Sequence, residues 1–312
     1  MTEKITMGVV GLGGIARKAH LPVLAVHPQV EIVGLASRTG GGVAELAAQY
    51  RLDLKARSFA EILACRPRAA YLLSVTTAHP EQAVALLEAG IAVFMEKPLA
   101  NTVAEAEAIV KAASKPDRLL MVGFNRRFAP AYRRARALFA ETGRPIELAV
   151  IQKHRSADPS NWSLRQSVMD DTIHIIDLAR FFGGDLQVKA AHVRSGLVVS
   201  HFETPLSQNG TVVQIAQSYG AGSALERVEL QGGGMTVIVE QMERLTVIEN
   251  GVERVEPLFG SWTATLEKRG IGPELDHFLD CLRTGVQPET NGAEALATQR
   301  LAEAMLLAGG RE

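Results

Sequence analysis

The architecture of this chain follows from one stretch near its start, Gly11-Leu12-Gly13-Gly14-Ile15-Ala16. The apolar run Ile5–Val10 precedes it and predicts a buried parallel strand, and Ile15 to Val26 can form a helix. Glycines between a first strand and a first helix let the backbone turn sharply and let a diphosphate approach, while free N–H groups at the helix N-terminus face the anion. We therefore predict a dinucleotide-binding turn at residues 11–16. An ordinary glycine turn is the alternative.

Composition narrows the class of protein. The chain has 312 residues, 47% of them hydrophobic and 21% charged, as in globular proteins with a sizeable core. Its formal net charge of −1 predicts neither nucleic acid nor an anionic membrane surface as a partner. The two cysteines have no metal-ligand spacing, so no metal site is predicted. The apolar N-terminal stretch predicts a strand rather than a signal peptide, and we expect a cytoplasmic protein.

Two domains are predicted from the order of elements. Over residues 1–122, apolar strands alternate with amphipathic helices, which is typical of a doubly wound parallel sheet, the Rossmann architecture. Residues 123–312 instead contain successive β-rich stretches with an interposed helix over 168–182 and a helical tail. This pattern predicts an α+β substrate-binding domain with a large open antiparallel sheet. Because an open sheet face needs covering, we expect a homodimer or homotetramer formed through this domain.

The residues after the second predicted strand bear on the choice of nicotinamide cofactor. An acidic residue there binds the adenosine ribose and favours NAD, whereas a small residue with an arginine admits the 2′-phosphate of NADP. Here the strand ends in Ala36-Ser37-Arg38-Thr39, and Glu45 is already inside the next helix. Ser37 and Arg38 can both bind a phosphate. We therefore favour NADP, with NAD as the alternative. The simpler interpretation of Arg38 is that it is a solvated surface residue.

Three motifs together resemble the Gfo/Idh/MocA oxidoreductases. Besides the glycine turn, Glu96-Lys97-Pro98 follows the apolar run Val93–Met95, and Asp170-Asp171-Thr172-Ile173-His174-Ile175-Ile176-Asp177 lies in the second domain. The resemblance covers nearly the whole chain. Within the family the chain is most similar to the MviM branch, whose name identifies no reaction. The stretches that carry this likeness are 8–16, 121–130, 153–156 and 265–270.

The resemblance implies hydride transfer between NAD(P) and a sugar, polyol or related carbonyl compound. It assigns Lys97 to the family's active-site lysine, Asp170 and His174 to its Asp-x-x-x-His motif, and Asp177 to the aspartate that follows. An imidazole has the pKa range that suits exchange of a hydroxyl proton, and a cation stabilises a developing alkoxide. We expect His174 as acid/base, Asp170 as its orienting partner and Lys97 as alkoxide stabiliser. Proton transfer by Lys97 first is nearly as plausible, and a solvated helix face is the simpler interpretation of the aspartates.

Other positions complete the predicted site. Residues at the ends of strands are expected to line the nicotinamide half of the cofactor: Ser74, Thr76, Thr77, His79, Glu96 and Lys97. A polar, sugar-like substrate is expected to contact charged and aromatic side chains of the second domain: Asn125, Arg127, His154, Arg155, Trp162 and Asp177. Interdomain packing is an equal alternative for Asn125 and Arg127, and loop packing for Trp162.

One departure from the family pattern concerns substrate identity. Many relatives carry glycines shortly before the aspartate, where this chain has Arg165-Gln166-Ser167. Side chains there predict a pocket of different shape. Two other functions stay open: a nucleotide-binding sensor without turnover, and NAD-dependent glycoside cleavage by transient oxidation. Retention of Lys97, Asp170 and His174 favours an enzyme, because a sensor needs no proton-transfer set.

Overall fold

The computed structural model describes residues 4–158, 160, 163–204 and 210–309. The chain divides into two compact units. One comprises the described residues up to Phe124 together with Ile271–Leu296, and the other comprises Asn125–Gly270 and the residues from Ala297 onward. Within these described ranges, no helix has the length and apolar character to cross a bilayer.

The first unit is built on a five-stranded parallel sheet in the order β2-β1-β3-β4-β5, which confirms the predicted Rossmann architecture. Its strands are β1 (Ile5–Val10), β2 (Val30–Ala36), β3 (Ala69–Leu72), β4 (Ala92–Met95) and β5 (Leu120–Val122). Its first five helices are α1 (Leu21–Leu24), α2 (Val43–Tyr50), α3 (Phe59–Cys65), α4 (His79–Glu88) and α5 (Val103–Ala113). A π-helical segment, Ala16–His20, leads from the glycine turn into α1.

The second unit contains an eight-stranded sheet in the order β13-β12-β11-β10-β6-β9-β8-β7. The strands are β6 (Leu148–Ser156), β7 (Gln187–Arg194), β8 (Leu197–Glu203), β9 (Val212–Ser218), β10 (Gly220–Gly232), β11 (Met235–Glu240), β12 (Arg244–Glu249) and β13 (Val252–Glu256). Its helices before residue 271 are α6 (Pro130–Thr142), α7 (Leu164–Ser167), α8 (Ile173–Gly183) and α9 (Thr265–Lys268).

This second sheet is mixed rather than purely antiparallel. β6 and β9 run parallel, whereas the other neighbours in the sheet are antiparallel. The helical excursion through α7 and α8 separates β6 from β7–β9, so β6 does not join them through a hairpin. Both α8 and α6 pack on this sheet, α8 against β6 and β9 and α6 against β11 and β12.

The helical tail corrects the predicted domain bounds. α10 (Ile271–Thr284) and the start of α11 (Gly292–Gly309) belong to the first unit, not to the second domain assigned as 123–312. The reason is aromatic packing: Phe278 of α10 lies edge-to-face against Tyr71 and Phe94, with ring centroids 5.8 Å away, and those two rings stack at 4.2 Å. The amphipathic face of α10 therefore completes the core of the Rossmann unit.

Candidate active site

The glycine turn has the conformation that its composition predicts. Gly11 has φ +96°, and a side chain there would overlap the backbone of Leu73 and Ser74, so glycine is required by the fold. A Cβ added at Gly13 or Gly14 would meet no atom of the described residues within 4 Å. Nothing in the described fold thus demands glycine at these two positions, and they leave the room that a diphosphate needs. Ile15 is exposed and Ala16 is buried.

A second arginine, which sequence reasoning missed, lies against the turn after β2. The Ser37 hydroxyl donates to the Gly41 carbonyl at 2.8 Å, and Arg38 is exposed. Arg17 reaches this loop from the π-helical segment: its Nη2 occupies the place that a Cβ on Gly42 would take. Glu45, the first acidic residue after β2 in the sequence, forms an ion pair with Arg17 at 2.8 Å.

The ends of β1, β3 and β4 lie side by side, because these strands are neighbours in the sheet. Around β3, the Ser74 hydroxyl donates to Gln82 Oε1 at 2.7 Å, Thr76 is half-buried and Thr77 exposed. His79 is buried, with its ring nitrogens 3.0 Å from the Pro98 carbonyl and 3.2 Å from that of Ser74. Burial lowers the pKa of His79. This histidine therefore ties the turn after β3 to the turn after β4.

Glu96 and Lys97 follow β4 directly. Glu96 Oε1 lies 2.8 Å from His20 Nε2, and its Oε2 accepts from the Lys97 N–H at 3.2 Å. Burial raises the pKa of Glu96, but the His20 hydrogen bond and the charges of His20 and Lys97 outweigh burial and leave it below its ordinary value. The Glu96 carboxylate thus braces the backbone that presents Lys97, whose side chain is half-buried.

The Asp-x-x-x-His segment is less regular than predicted. Val168–Thr172 is π-helical and continues into α8, so Asp170 and His174 lie on either side of a change in helical pitch. Asp170 is exposed, His174 half-buried and Asp177 buried. The three side chains therefore do not share one environment. Asp170 and His174 lie at the surface end of the segment, and Asp177 lies in the core.

Asp177 and Arg127 form a buried ion pair. Arg127 Nε and Nη2 donate to the two Asp177 oxygens at 2.7 and 2.8 Å, and Thr298 of α11 adds a hydrogen bond at 2.9 Å. Asn125 Nδ2 donates to the Arg269 carbonyl at 2.7 Å. These contacts give Arg127, Asp177 and Asn125 packing roles within the second unit. Their contact with substrate stays a prediction.

A cluster of polar side chains surrounds Asp171, the neighbour of Asp170. Arg155 donates to it through Nε and Nη2, both at 2.6 Å, Gln217 Nε2 at 2.6 Å and the Tyr219 hydroxyl at 2.9 Å. Lys153 Nζ donates to its carboxylate and, at 2.9 Å, to its carbonyl oxygen. We call these five residues the Asp171 hub. The hub joins β6, the end of β9 and the segment that carries the Asp-x-x-x-His motif.

Charges in the hub influence one another strongly. Burial raises the pKa of Asp171, but the Arg155 hydrogen bond and the Lys153 charge hold it well below its usual range. Burial, followed by the charge of Arg126, lowers the pKa of Lys153 to about 7. Arg126 itself pairs with Glu226 at 2.6 and 2.9 Å beneath the hub. Asp171 is therefore an ionised carboxylate in the protein interior.

The structure separates His154 from Arg155. Successive strand residues point to opposite faces of a sheet, so His154 lies on the face opposite to Lys153, Arg155 and the hub. Its Nδ1 accepts from the Ser218 N–H at 3.1 Å. Trp162 lies outside the described residues. Of the side chains predicted to bind substrate, Arg155 alone has a contact in the hub among the described residues.

The stretch before Asp170, where the resemblance led us to expect glycines in relatives, builds a short helix in this chain. Ser163 and Gln166 form a reciprocal cap at the start of α7, and Ser167 is buried at its end. Arg165 pairs with Glu303 of α11, with one contact at 2.9 Å. Arg165-Gln166-Ser167 thus anchors the segment before Asp170 through side chains, where glycines would allow close backbone approach.

Comparison with known proteins agrees with these features. The family "Oxidoreductase family, NAD-binding Rossmann fold" matches residues 5–124, and "YceM-like, C-terminal domain" matches 130–250. "Putative oxidoreductase YceM" of Salmonella typhimurium is 32% identical over 96% of this chain and 97% of its own length. Inositol 2-dehydrogenase of Rhizobium meliloti is 24% identical over 96% of this chain and 95% of its own.

Among solved structures, the dehydrogenase MviM from Clostridium difficile superimposes with a TM-score of 0.89 at 28% identity, covering 98% of this chain and 99% of that one. The full-length match to a relative, the glycine turn and the parallel sheet together identify the protein. The chain belongs to the Gfo/Idh/MocA family of oxidoreductases, which have an NAD(P)-binding Rossmann domain, and carries a YceM-like C-terminal domain.

Proposed function

We propose that this protein is an NAD(P)-dependent dehydrogenase or reductase that acts on a sugar, polyol or related hydroxy or carbonyl compound. One observation carries the proposal. The glycine turn after β1, the turn after β3 and Lys97 after β4 all lie at the carboxyl edge of one parallel sheet. Ligands of open α/β sheets bind at this edge. The same edge thus offers a diphosphate cradle and an ammonium group.

The residues present fit a nicotinamide dinucleotide. Gly13 and Gly14 leave space beside the turn, and Ser37 and Arg38 would hold the adenosine ribose or its phosphate. When bound, the nicotinamide supplies or accepts the hydride. The family's inositol dehydrogenase supports a polyol-like substrate for this chain.

This chain's own residues would move the hydroxyl proton and stabilise the negative oxygen. His174 takes the proton from the hydroxyl, or returns it in the reverse direction, because an imidazole titrates near neutral pH. Asp170 orients it. Lys97, braced through the Glu96–His20 pair, stabilises the developing alkoxide.

Single substitutions test this division of roles. Lys97→Met and His174→Ala should each bind dinucleotide as the wild type does but lose turnover by about a hundredfold or more, the size of effect expected for acid–base groups. The measurements are fluorescence titration with NADPH and NADH, then initial rates with a sugar and polyol panel at the nicotinamide absorbance. Near-normal rates in both variants would contradict the assigned roles.

The preference for NADP rests on Arg38 and on the engagement of Glu45 by Arg17. Arg38→Ala should weaken NADPH binding about tenfold or more and leave NADH almost unchanged, because one charged contact to phosphate is removed. Arg51→Ala, an exposed arginine after α2, is the matched control. Equal weakening of both dinucleotides would contradict the preference.

We further propose a homodimer or homotetramer formed through the second unit's sheet, and a cytoplasmic location. On the face of β6 that carries His154, Val150 and Gln152 are half-buried. A second copy would cover such a face. Light scattering on the purified protein measures the oligomeric state, and a monomer at micromolar concentration would contradict it.

A further inference from the structure

The Asp171 hub holds more donors and more positive charge than its carboxylate can balance. Five hydrogen bonds reach the Asp171 oxygens, from Lys153, Arg155, Gln217 and Tyr219. A carboxylate offers about four lone-pair sites. Two cations, Lys153 and Arg155, thus face one aspartate, and the donors exceed the acceptor sites.

The surroundings of the hub do not remove this surplus. Arg126 and Glu226 neutralise one another in a bidentate pair. The charge of Arg269 also lowers the pKa of Glu226, and Asp170 lies next to Asp171 in the chain. When these four groups are added to the hub and Lys153 is counted in its protonated form, the cations exceed the anions by one.

One member of the hub reaches solvent. Lys153 is buried, with a side chain 1% exposed, whereas the Arg155 side chain is 41% exposed. Among the residues that the structure describes, Arg155 bonds Asp171 through Nε and Nη2 only. The remaining edge of the guanidinium, at Nη1, is the one that a carboxylate can meet.

The position of Arg155 relates it to the acid/base residue. Its partner Asp171 precedes His174 by three residues in one continuous helical segment. The two residues therefore lie within about one helical turn of each other, across the boundary between the π-helical segment and α8. A molecule of a few carbon atoms could therefore place a carboxylate at Arg155 and a hydroxyl at His174.

We infer that the substrate is a polyhydroxylated carboxylic acid, and that Arg155, backed by Lys153, binds its carboxylate. This inference rests on the proposed function and names the substrate class of that site. A neutral polyol, by contrast, would offer no anion to the exposed edge of the Arg155 guanidinium.

Matched pairs of sugars that differ only at one terminal carbon test the inference. The probes are D-glucuronate against D-glucose and D-galacturonate against D-galactose, extended by D-gluconate and L-tartrate. Calorimetry with the NADP-saturated and NAD-saturated protein measures Kd, and initial rates measure kcat/KM. We expect the acid of a pair to be favoured at least tenfold in both.

Variants then assign the preference to Arg155. Arg155→Met should abolish the tenfold preference, and Arg155→Lys should keep part of it because charge remains while the planar fork is lost. Arg254→Met, an exposed arginine on β13, should leave it unchanged. Circular dichroism melts establish that the variants are folded.

Several results would overturn the inference. They are equal affinity for acid and neutral sugar, an acid preference that survives in Arg155→Met, or no binding of any acid in a protein that binds dinucleotide. Failure to bind NADPH and NADH at all would instead contradict the proposed function, so the two failures are distinguishable.

Discussion

Two buried carboxylates, one in each unit, have opposite electrostatic states. Asp171 of the second unit is surrounded by donors and cations, and its pKa lies well below the ordinary range. Glu274 of α10, in the first unit, is 1% exposed and has no hydrogen-bond partner among the described side and main chains. Burial, with the charge of Glu96, raises its pKa well above the usual value. Depth in the protein thus does not decide ionisation; the neighbouring groups do.

The same contrast extends to two tyrosines. Tyr219 donates to Asp171 at 2.9 Å in the second unit. Tyr71, packed beside Phe94 and Phe278, is fully buried, and among the described residues nothing accepts from its hydroxyl. Burial and the charge of Glu274 raise the pKa of Tyr71. Burial therefore holds Glu274 and Tyr71 of the first unit neutral, whereas the groups around Asp171 in the second unit stabilise a charge.

Removing the charge of Asp171 should have the largest effect. Asp171→Asn leaves Lys153 and Arg155 without their counter-ion, and an uncompensated buried charge costs about 3–5 kcal/mol of unfolding free energy. Asp185→Asn, whose carboxylate is 91% exposed, should change stability by less than about 0.5 kcal/mol. Urea unfolding measures both. A loss below about 1 kcal/mol at Asp171 would show that the hub is not an ionic centre.

Replacing the ionisable group of Glu274 should act in the opposite direction and depend on pH. Its raised pKa in the folded protein means that the neutral carboxyl favours folding fully below the unfolded pKa, and that this contribution is lost as pH rises. Glu274→Gln should therefore gain stability relative to the wild type as pH rises above about 4.5, by at most about 1.4 kcal/mol per pH unit. Urea titrations at pH 5, 6 and 7 measure the gap. A gap that stays constant would mean that Glu274 is ionised when folded.

The tyrosine pair gives the smallest and most closely matched comparison. Tyr219→Phe removes a hydrogen bond to a charged group and should cost about 1.5–3 kcal/mol. Tyr71→Phe removes a hydroxyl without a described partner and should change stability by less than about 1 kcal/mol, in either direction. Thermal and urea unfolding of the two variants measure the difference. Equal losses would contradict the contrast between the units.

Much of the first unit was predictable because its signals are local. A strand followed by Gly11, and strands alternating with helices, specify a parallel sheet through backbone conformation and hydrophobic period alone. The return of α10 to this unit was not predictable, because the partners of Phe278, Tyr71 and Phe94, are 207 and 184 residues away in the sequence. Amphipathic period indicates that a face is buried, but not against which element.

The second unit shows the same limit at its buried charged residues. Strand alternation places Lys153 on the same face as the buried Ala149 and Ile151, which indicates that this lysine must have a partner. No pattern identifies that partner as Asp171, and the aspartate pair at 170–171 is equally consistent with a solvated helix face. The packing of α8 on β6 decides which of these two aspartates is exposed and which is buried.

The sequence by itself determined the Rossmann unit, the glycine turn and the family, because glycine conformation, hydrophobic period and contiguous motifs are properties of neighbouring residues. Only the tertiary structure decided which carboxylates are paired, since Asp171, Asp177 and Glu274 differ through groups contributed by distant elements. Electrostatic interactions depend on distance and burial in space, and neither quantity can be obtained from spacing along the chain.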